Sequence, residues 1–176
     1  MNTLPFMKKM TAITALSFAL TAHAGTYAAV DKNSCQNRAN TTEPFILVLS
    51  QGDKLHDSLT RCANDANLQA ASVSGLGQVH NPILAYFSSN PLDKPTLTSL
   101  DGYYELASLN GNITSNNGQY YTHLHGTLAD REFKGIAGHI DSVEAGLTVE
   151  ITIIPFSGPV ERTVDEHTGF GPISTR

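Results

Sequence analysis

The fold of this chain is constrained most by two runs on either side of a short charged reversal, Asp130-Arg131-Glu132. Gln119–Leu128 and Lys134–Ile140 both read as strands, and a loop at 129–133 joins them into an antiparallel hairpin. Alternate residues of a strand face opposite ways. Leu124 and Leu128 therefore point into a core, and His123 and His125 share the other face. Where His139 falls depends on register. Directly opposed residues of an antiparallel pair share a face. If Leu128 pairs with Lys134, His123 faces His139; a shift of two residues puts His125 opposite it instead. Either register gathers all three imidazoles on one side, and a slip of one residue sends His139 through the sheet.

The rest of the chain reads as more sheet around one helix. Phe45–Ser50 is a short apolar run, read as a buried strand. Gly52-Asp53 then punctuates, with Asp53 as N-cap of a helix over 54–66, whose Leu55, Leu59, Cys62, Ala63 and Ala66 recur at helical spacing. Strands are expected at Gln69–Ser74 and Ile83–Phe87, separated by Gly75-Leu76-Gly77. Residues 88–102 carry Asn-Pro, Lys-Pro and Asp-Gly pairs and read as an excursion with turns. Tyr103–Leu109 and Leu147–Phe156 complete the strands; Asn110-Gly111-Asn112 and Asn116-Asn117-Gly118 are turn signals. The tail after Pro155 is expected to run over the surface. One helix among many strands makes this an α+β domain with a mostly antiparallel sheet.

With 176 residues, 40% apolar and 15% charged, the chain is large enough for one packed domain and too weakly charged for a disordered polyelectrolyte. Eleven Lys and Arg against sixteen Asp and Glu give a net charge of −5, with no basic run. That opposes unassisted grip on nucleic acid, which needs clustered cations on phosphate. No internal repeat is present.

Lys8-Lys9, the acid-free apolar stretch Met10–Ala22 and Ala22-His23-Ala24 form the pattern of a secretory signal peptide over 1–24. Its apolar part is too short to span a bilayer. A polar arm, 25–43, precedes the domain, 44–176. The expected location is secreted or periplasmic. In an oxidising compartment Cys35 and Cys62 have only each other, so a disulfide is expected between the arm and the helix.

Three neutral imidazoles with one coordination position left open describe a catalytic type of zinc site more than a closed structural one. Against this stands the commoner role of a strand histidine as an exposed polar residue; H-x-H alone is a weak motif. Ligating histidines usually donate their second nitrogen to a carboxylate or carbonyl, and Glu105 and Glu150 are strand carboxylates that could serve there, or as proton acceptors. His56, His80 and His167 read as surface residues. No G-x-S-x-G, phosphate loop or G-x-G-x-x-G is present.

In order along the chain, Ser74-Gly-Leu-Gly77, Tyr104-Glu-Leu-Ala-Ser-Leu-Asn-Gly-Asn112, His123-Leu-His125, Gly138-His139, Thr148-Val-Glu150 and Glu161-Arg-Thr-Val-Asp-Glu-His-Thr-Gly169 resemble the PPC (plant and prokaryote conserved) domain, from about Phe45 to Gly169. The resemblance implies an α+β fold assembled as a homotrimer, and a metal, usually taken as zinc, on the histidines that match His123, His125 and His139. Plant members grip DNA through AT-hooks, which this chain lacks. The expectation is therefore an exported metal-binding domain that binds a small ligand or carries out metal-assisted chemistry. The alternative is a DNA-associated regulator.

Overall fold

The computed structural model describes residues 35–90, 92–167 and 169–174. The expected signal peptide, 1–24, and most of the expected arm lie outside them. Six strands and one α-helix follow in the order β1 (Phe45–Ser50), α1 (Leu55–Asp65), β2 (Ala71–Tyr86), β3 (Thr96–Ser99), β4 (Tyr103–Asn116), β5 (Gln119–Ala129) and β6 (Gly135–Pro155). All strand pairings are antiparallel, in the order β1-β6-β5-β4-β2-β3. β6 also pairs with β2, so β2, β4, β5 and β6 close into a ring, with β1 and β3 added at its edges.

Several segments differ from the expectation for local reasons. The two strands expected around Gly75-Leu76-Gly77 are one strand, β2, which absorbs the glycines as a bulge against β4 and β6. Gly77 sits at φ +148°, and a Cβ there would lie 2.2 Å from the Thr148 carbonyl oxygen. The strands expected at 134–140 and 147–156 are likewise the single strand β6. It bends past register shifts opposite His80–Leu84. Asn110-Gly111-Asn112 is not a turn but the middle of β4. Gly111 is needed there because a Cβ would meet the His123 carbonyl oxygen at 2.1 Å. The excursion 88–102 contains the short edge strand β3. Asp53 does not cap α1. Lys54 holds the N-cap position without a side-chain cap bond, and Asp53 Oδ2 accepts from the Ser50 backbone N–H at 2.9 Å.

The core fills the space between the ring and α1. Leu106, Leu109, Ile113, Leu124, Leu128, Ile140 and Ile151 are fully buried, and Leu55 and Leu59 of the helix pack into the same cluster. Each such side chain contributes ~1.5–3 kcal/mol by leaving water. The Cys35–Cys62 disulfide is present and pins the segment before β1 to the apolar face of α1. The outward face of the β1–β6–β2 panel is partly apolar: Ile46, Leu76 and Ile154 are exposed there.

Candidate metal centre

β5 and β6 pair so that His125 and His139 are directly opposed, and His123 lies two residues along β5 on the same outward face. Of the two registers that gather the histidines, this is the second. Leu124 between them is fully buried, which holds the alternation in place. The ring centroids are 5.2 Å apart for His123–His125, 5.1 Å for His123–His139 and 5.4 Å for His125–His139. One nitrogen from each ring lies within 4.8 Å of the others, so the triad could hold a metal ion. Zinc–imidazole bonds of ~2.0–2.1 Å put ligand nitrogens ~3.3 Å apart, a gap that small side-chain rotations close.

Two further observations fit a cation. His139 Nδ1 is buried with no hydrogen-bond partner among the described residues, an omission that costs ~1–3 kcal/mol unless something takes up that nitrogen. Two of the rings, His139 and His123, are also held towards the neutral form. Burial first, then His123, His125 and His56, pushes His139 down to about 4. Burial, followed by Arg162 and His125, lowers His123 below the usual histidine value. Neutral imidazole is the form that ligates metal.

His56, expected on the surface, is instead a half-buried post behind the triad. Its Nε2 donates to the Ile140 carbonyl at 3.0 Å, which leaves Nδ1 to accept from the Thr122 hydroxyl at 2.6 Å. Thr122 precedes His123 and Ile140 follows His139, so the helix ties β5 to β6 one residue from two of the three rings. Burial lowers the pKa of His56, which keeps this neutral arrangement.

A cavity of about 330 Å³ opens over the triad. Phe87 at the end of β2 meets the His139 ring edge-on at 5.2 Å, and Phe170 lies 6.3 Å from Phe87. Phe170 comes from the C-terminal tail, which runs over the surface as a hydrogen-bonded strap. Ser115 N–H donates to the Val160 carbonyl and Arg162 N–H to the Ser115 carbonyl, so one leg lies along β4; Arg162 then bridges back to Ile173. The strap is latched by the Arg162 side chain, only 6% exposed. Its guanidinium donates to Thr114 Oγ1 at 2.9 Å, to Asn112 Oδ1 at 2.8 Å and to the Gly171 carbonyl, and lies 5.2 Å over the Tyr121 ring. Asn112 faces His123 across β4 and β5. The latch therefore sits beside the triad. His56 belongs to no motif, and Arg162 stood only within the Glu161–Gly169 run that resembles the family, with no role attached to it; Phe170 carried no signal.

The structure does not bring the two expected carboxylates to the histidines. Glu105 is exposed opposite Ala129, four residues along β5 from His125 and therefore ~13 Å away, and it accepts from Gln78. Glu150 is exposed on the β1–β6–β2 panel, between Val48 and Leu76. His80 is not a bare surface residue. Its Nδ1 meets Glu144 at 2.8 Å and its ring stacks on Tyr103. His167 is exposed, as expected.

No curated protein matches the chain. Solved structures do. A plant- and prokaryote-conserved protein of Pyrococcus horikoshii is 22% identical, with 76% of this chain and 92% of that one covered at TM-score 0.68. A metal-containing protein of Archaeoglobus fulgidus is 25% identical, over 76% of this chain and 94% of that one, also at 0.68. A protein of Ralstonia eutropha, named as a candidate for DNA binding, is 24% identical over 74% and 90% at 0.67. Residues 36–157 match the Plants and Prokaryotes Conserved (PCC) domain, the PPC family whose motifs the sequence carries. Ring, helix and ordered motifs thus agree, and the chain belongs to that family.

Proposed function

We propose that this protein is an exported, homotrimeric member of the family that holds a divalent metal, zinc in first place, on His123, His125 and His139, and uses it to bind a small ligand. The observation that carries this reading is the convergence of three imidazoles within 4.8 Å under an open cavity. Three nitrogen donors with a free position suit zinc better than magnesium or calcium, which prefer oxygen. The relative from Archaeoglobus fulgidus named as metal-containing supports it. The disulfide supports export, and the exposed Ile46, Leu76 and Ile154 supply apolar surface for self-association.

When bound, such an ion polarises a ligand oxygen or lowers the pKa of water. The chain's own residues do the rest. Thr122, His56 and Ile140 hold the two ring-bearing strands in register, and Phe87, Tyr121 and Phe170 wall the cavity over the triad. No Asp or Glu among the described residues lines the cavity, and this site is first a binding site. Glu105 and Glu150 enter as proton acceptors only where a second copy carries them to the triad.

The test is metal content by mass spectrometry on protein purified without chelator or oligohistidine tag. The expected result is one ion per chain in the parent and less than a tenth of that in His139→Ala. Equal metal in both sinks the reading. Light scattering on the metal-loaded protein tests the trimer, and a monomer at micromolar concentration contradicts it. DNA association, which the name of the Ralstonia eutropha relative raises, predicts binding that falls steeply with salt. The net charge of −5 and the lack of a basic run oppose it.

A further inference from the structure

One wall of the cavity over the triad lies past the domain match, in the tail that begins with the Glu161–Gly169 run. The match ends at residue 157, whereas Gly169, Phe170 and Gly171 belong to the strap beyond it. The strap is built in and not draped. Asp165 N–H donates to the Phe170 carbonyl and Gly169 N–H to the Asp165 carbonyl, which closes a tight turn that presents Phe170. Arg162 ties the far side of that turn, at the Gly171 carbonyl, to β4. The result places two aromatic rings, Phe87 and Phe170, beside His139.

The chemistry of the cavity is selective in two ways. Its volume of about 330 Å³ holds on the order of ten water molecules at ~30 Å³ each, so it takes a molecule of about ten heavy atoms or fewer. No acidic side chain among the described residues lines it, while the Arg162 guanidinium lies 5.2 Å from the Tyr121 ring of its wall. A site with a cation at its floor, a second cation behind one wall and no carboxylate favours a negative or strongly electron-rich head. Its aromatic sides favour a flat apolar body, because offset and edge-on ring contacts add to simple burial. Phe170 itself is 54% exposed, which leaves a face for such a body to cover.

We infer that the cavity binds a small aryl-bearing oxygen acid, with its anionic head toward the histidine triad and its ring against the paired Phe87 and Phe170, and that the strap is the element that selects the ring. The inference rests on the metal reading above and adds the ligand class and the residue that sets it.

The probe pair is benzohydroxamate and acetohydroxamate, which share one metal-seeking head and differ in the ring. They are titrated against the full-length protein loaded with cobalt(II), whose visible bands report changes at the ion. The expected result is at least tenfold tighter binding of benzohydroxamate by the parent. Phe170→Ala should keep its cobalt and reduce that preference to threefold or less, and Phe170→Tyr should restore it. Equal affinities in cobalt-loaded parent overturn the ligand class and leave the metal reading standing. A full preference in Phe170→Ala overturns the role of the strap. Failure to load cobalt at all overturns the metal reading and this inference with it.

Discussion

The triad and the strap meet at one cavity but are built by opposite means. His123, His125 and His139 stand on two long strands whose register is fixed by buried Leu124, Leu128 and Ile140, and by the His56 post behind them. His123 and His125 lie in the β4–β5 ladder, and His139 pairs with His125 and with Ala85. The strap is joined to β4 and to itself by isolated bridges, and the Arg162 side chain latches it to β4. A site placed by sheet register is rigid and hard to alter singly. A wall held by one latch can change its residues without disturbing the floor. On the proposed reading, coordination falls to the sheet and selectivity to the strap.

The sharpest way to break that division is to remove each part in turn. His125→Ala takes away one of three donors and should weaken cobalt or zinc binding by more than about 100-fold, beyond the ~10–100-fold typical of losing a residue that merely supports a ligand. Truncation that removes 160–176 should leave metal affinity within about tenfold of the parent. Competition with a chromophoric chelator measures both. A truncated chain that loses metal as completely as His125→Ala would show that the strap is part of the coordination apparatus and not a separate wall.

The latch comes next in size. Arg162→Ala leaves Thr114 Oγ1, Asn112 Oδ1 and the Gly171 carbonyl without their donor, at ~1–3 kcal/mol for such groups when buried. The loss should be local. Amides of 160–174 should exchange with deuterium about 10–100-fold faster, while those of β5 keep their protection. Arg162→Lys should not rescue, because one ammonium cannot reproduce a planar fork that reaches three acceptors and lies over Tyr121. Faster exchange spread evenly through β5 and β6 would mean that strap and sheet open as one unit.

The same contrast explains what the sequence disclosed. The triad was legible because a strand has a period of two and the 129–133 reversal is short; parity alone narrowed His139 to two useful registers. The helix was legible from Leu55, Leu59 and Cys62. Strand lengths were not. Gly75, Gly77 and Gly111 look like punctuation in one dimension, yet each answers a close approach of another strand, which only the closed ring creates. Asp53 has the side chain of a cap, but Ser50 N–H claims it. His56 and Arg162 were missed because their partners, Thr122, Ile140, Thr114 and Asn112, are 48 to 84 residues away. Glu105 and Glu150 were singled out as strand carboxylates, without any pairing that would bring them to the histidines.

His56 tests how much of the triad's rigidity comes from behind. His56→Ala removes both the Thr122 and the Ile140 contacts and should weaken metal binding by about tenfold, at the low end for a supporting residue. His56→Gln can still donate to the Ile140 carbonyl and should recover part of that loss. Chelator competition reads the affinity, and nitrogen-edge shifts of the His139 imidazole in NMR read its orientation. If His56→Ala binds metal like the parent, β5 and β6 hold their register without help from the helix.

The smallest expected effect is the pH dependence of the metal-free protein. His139 titrates near 4 in the folded chain and near 6.5 in the unfolded one, chiefly because burial disfavours its charged form. Between those values the unfolded state binds a proton that the folded state does not, so stability falls as pH drops from 6.5 towards 4 and levels off below. His123 and His56, lowered for the same reason, slope the same way. The His139 ring is only partly shielded from solvent, which reduces its share to about 1 kcal/mol, well under what the shift alone would give. Urea denaturation of chelator-treated protein at pH 7, 5.5 and 4.5 reads the slope, and His139→Ala should flatten it measurably. In the metal-loaded protein the same weak proton affinity should delay release, with half the metal lost at a pH below 6.5. A metal-free parent and His139→Ala with identical slopes would place the acid sensitivity in His56 and His123, on the side of the sheet register rather than in the ring that faces Phe87.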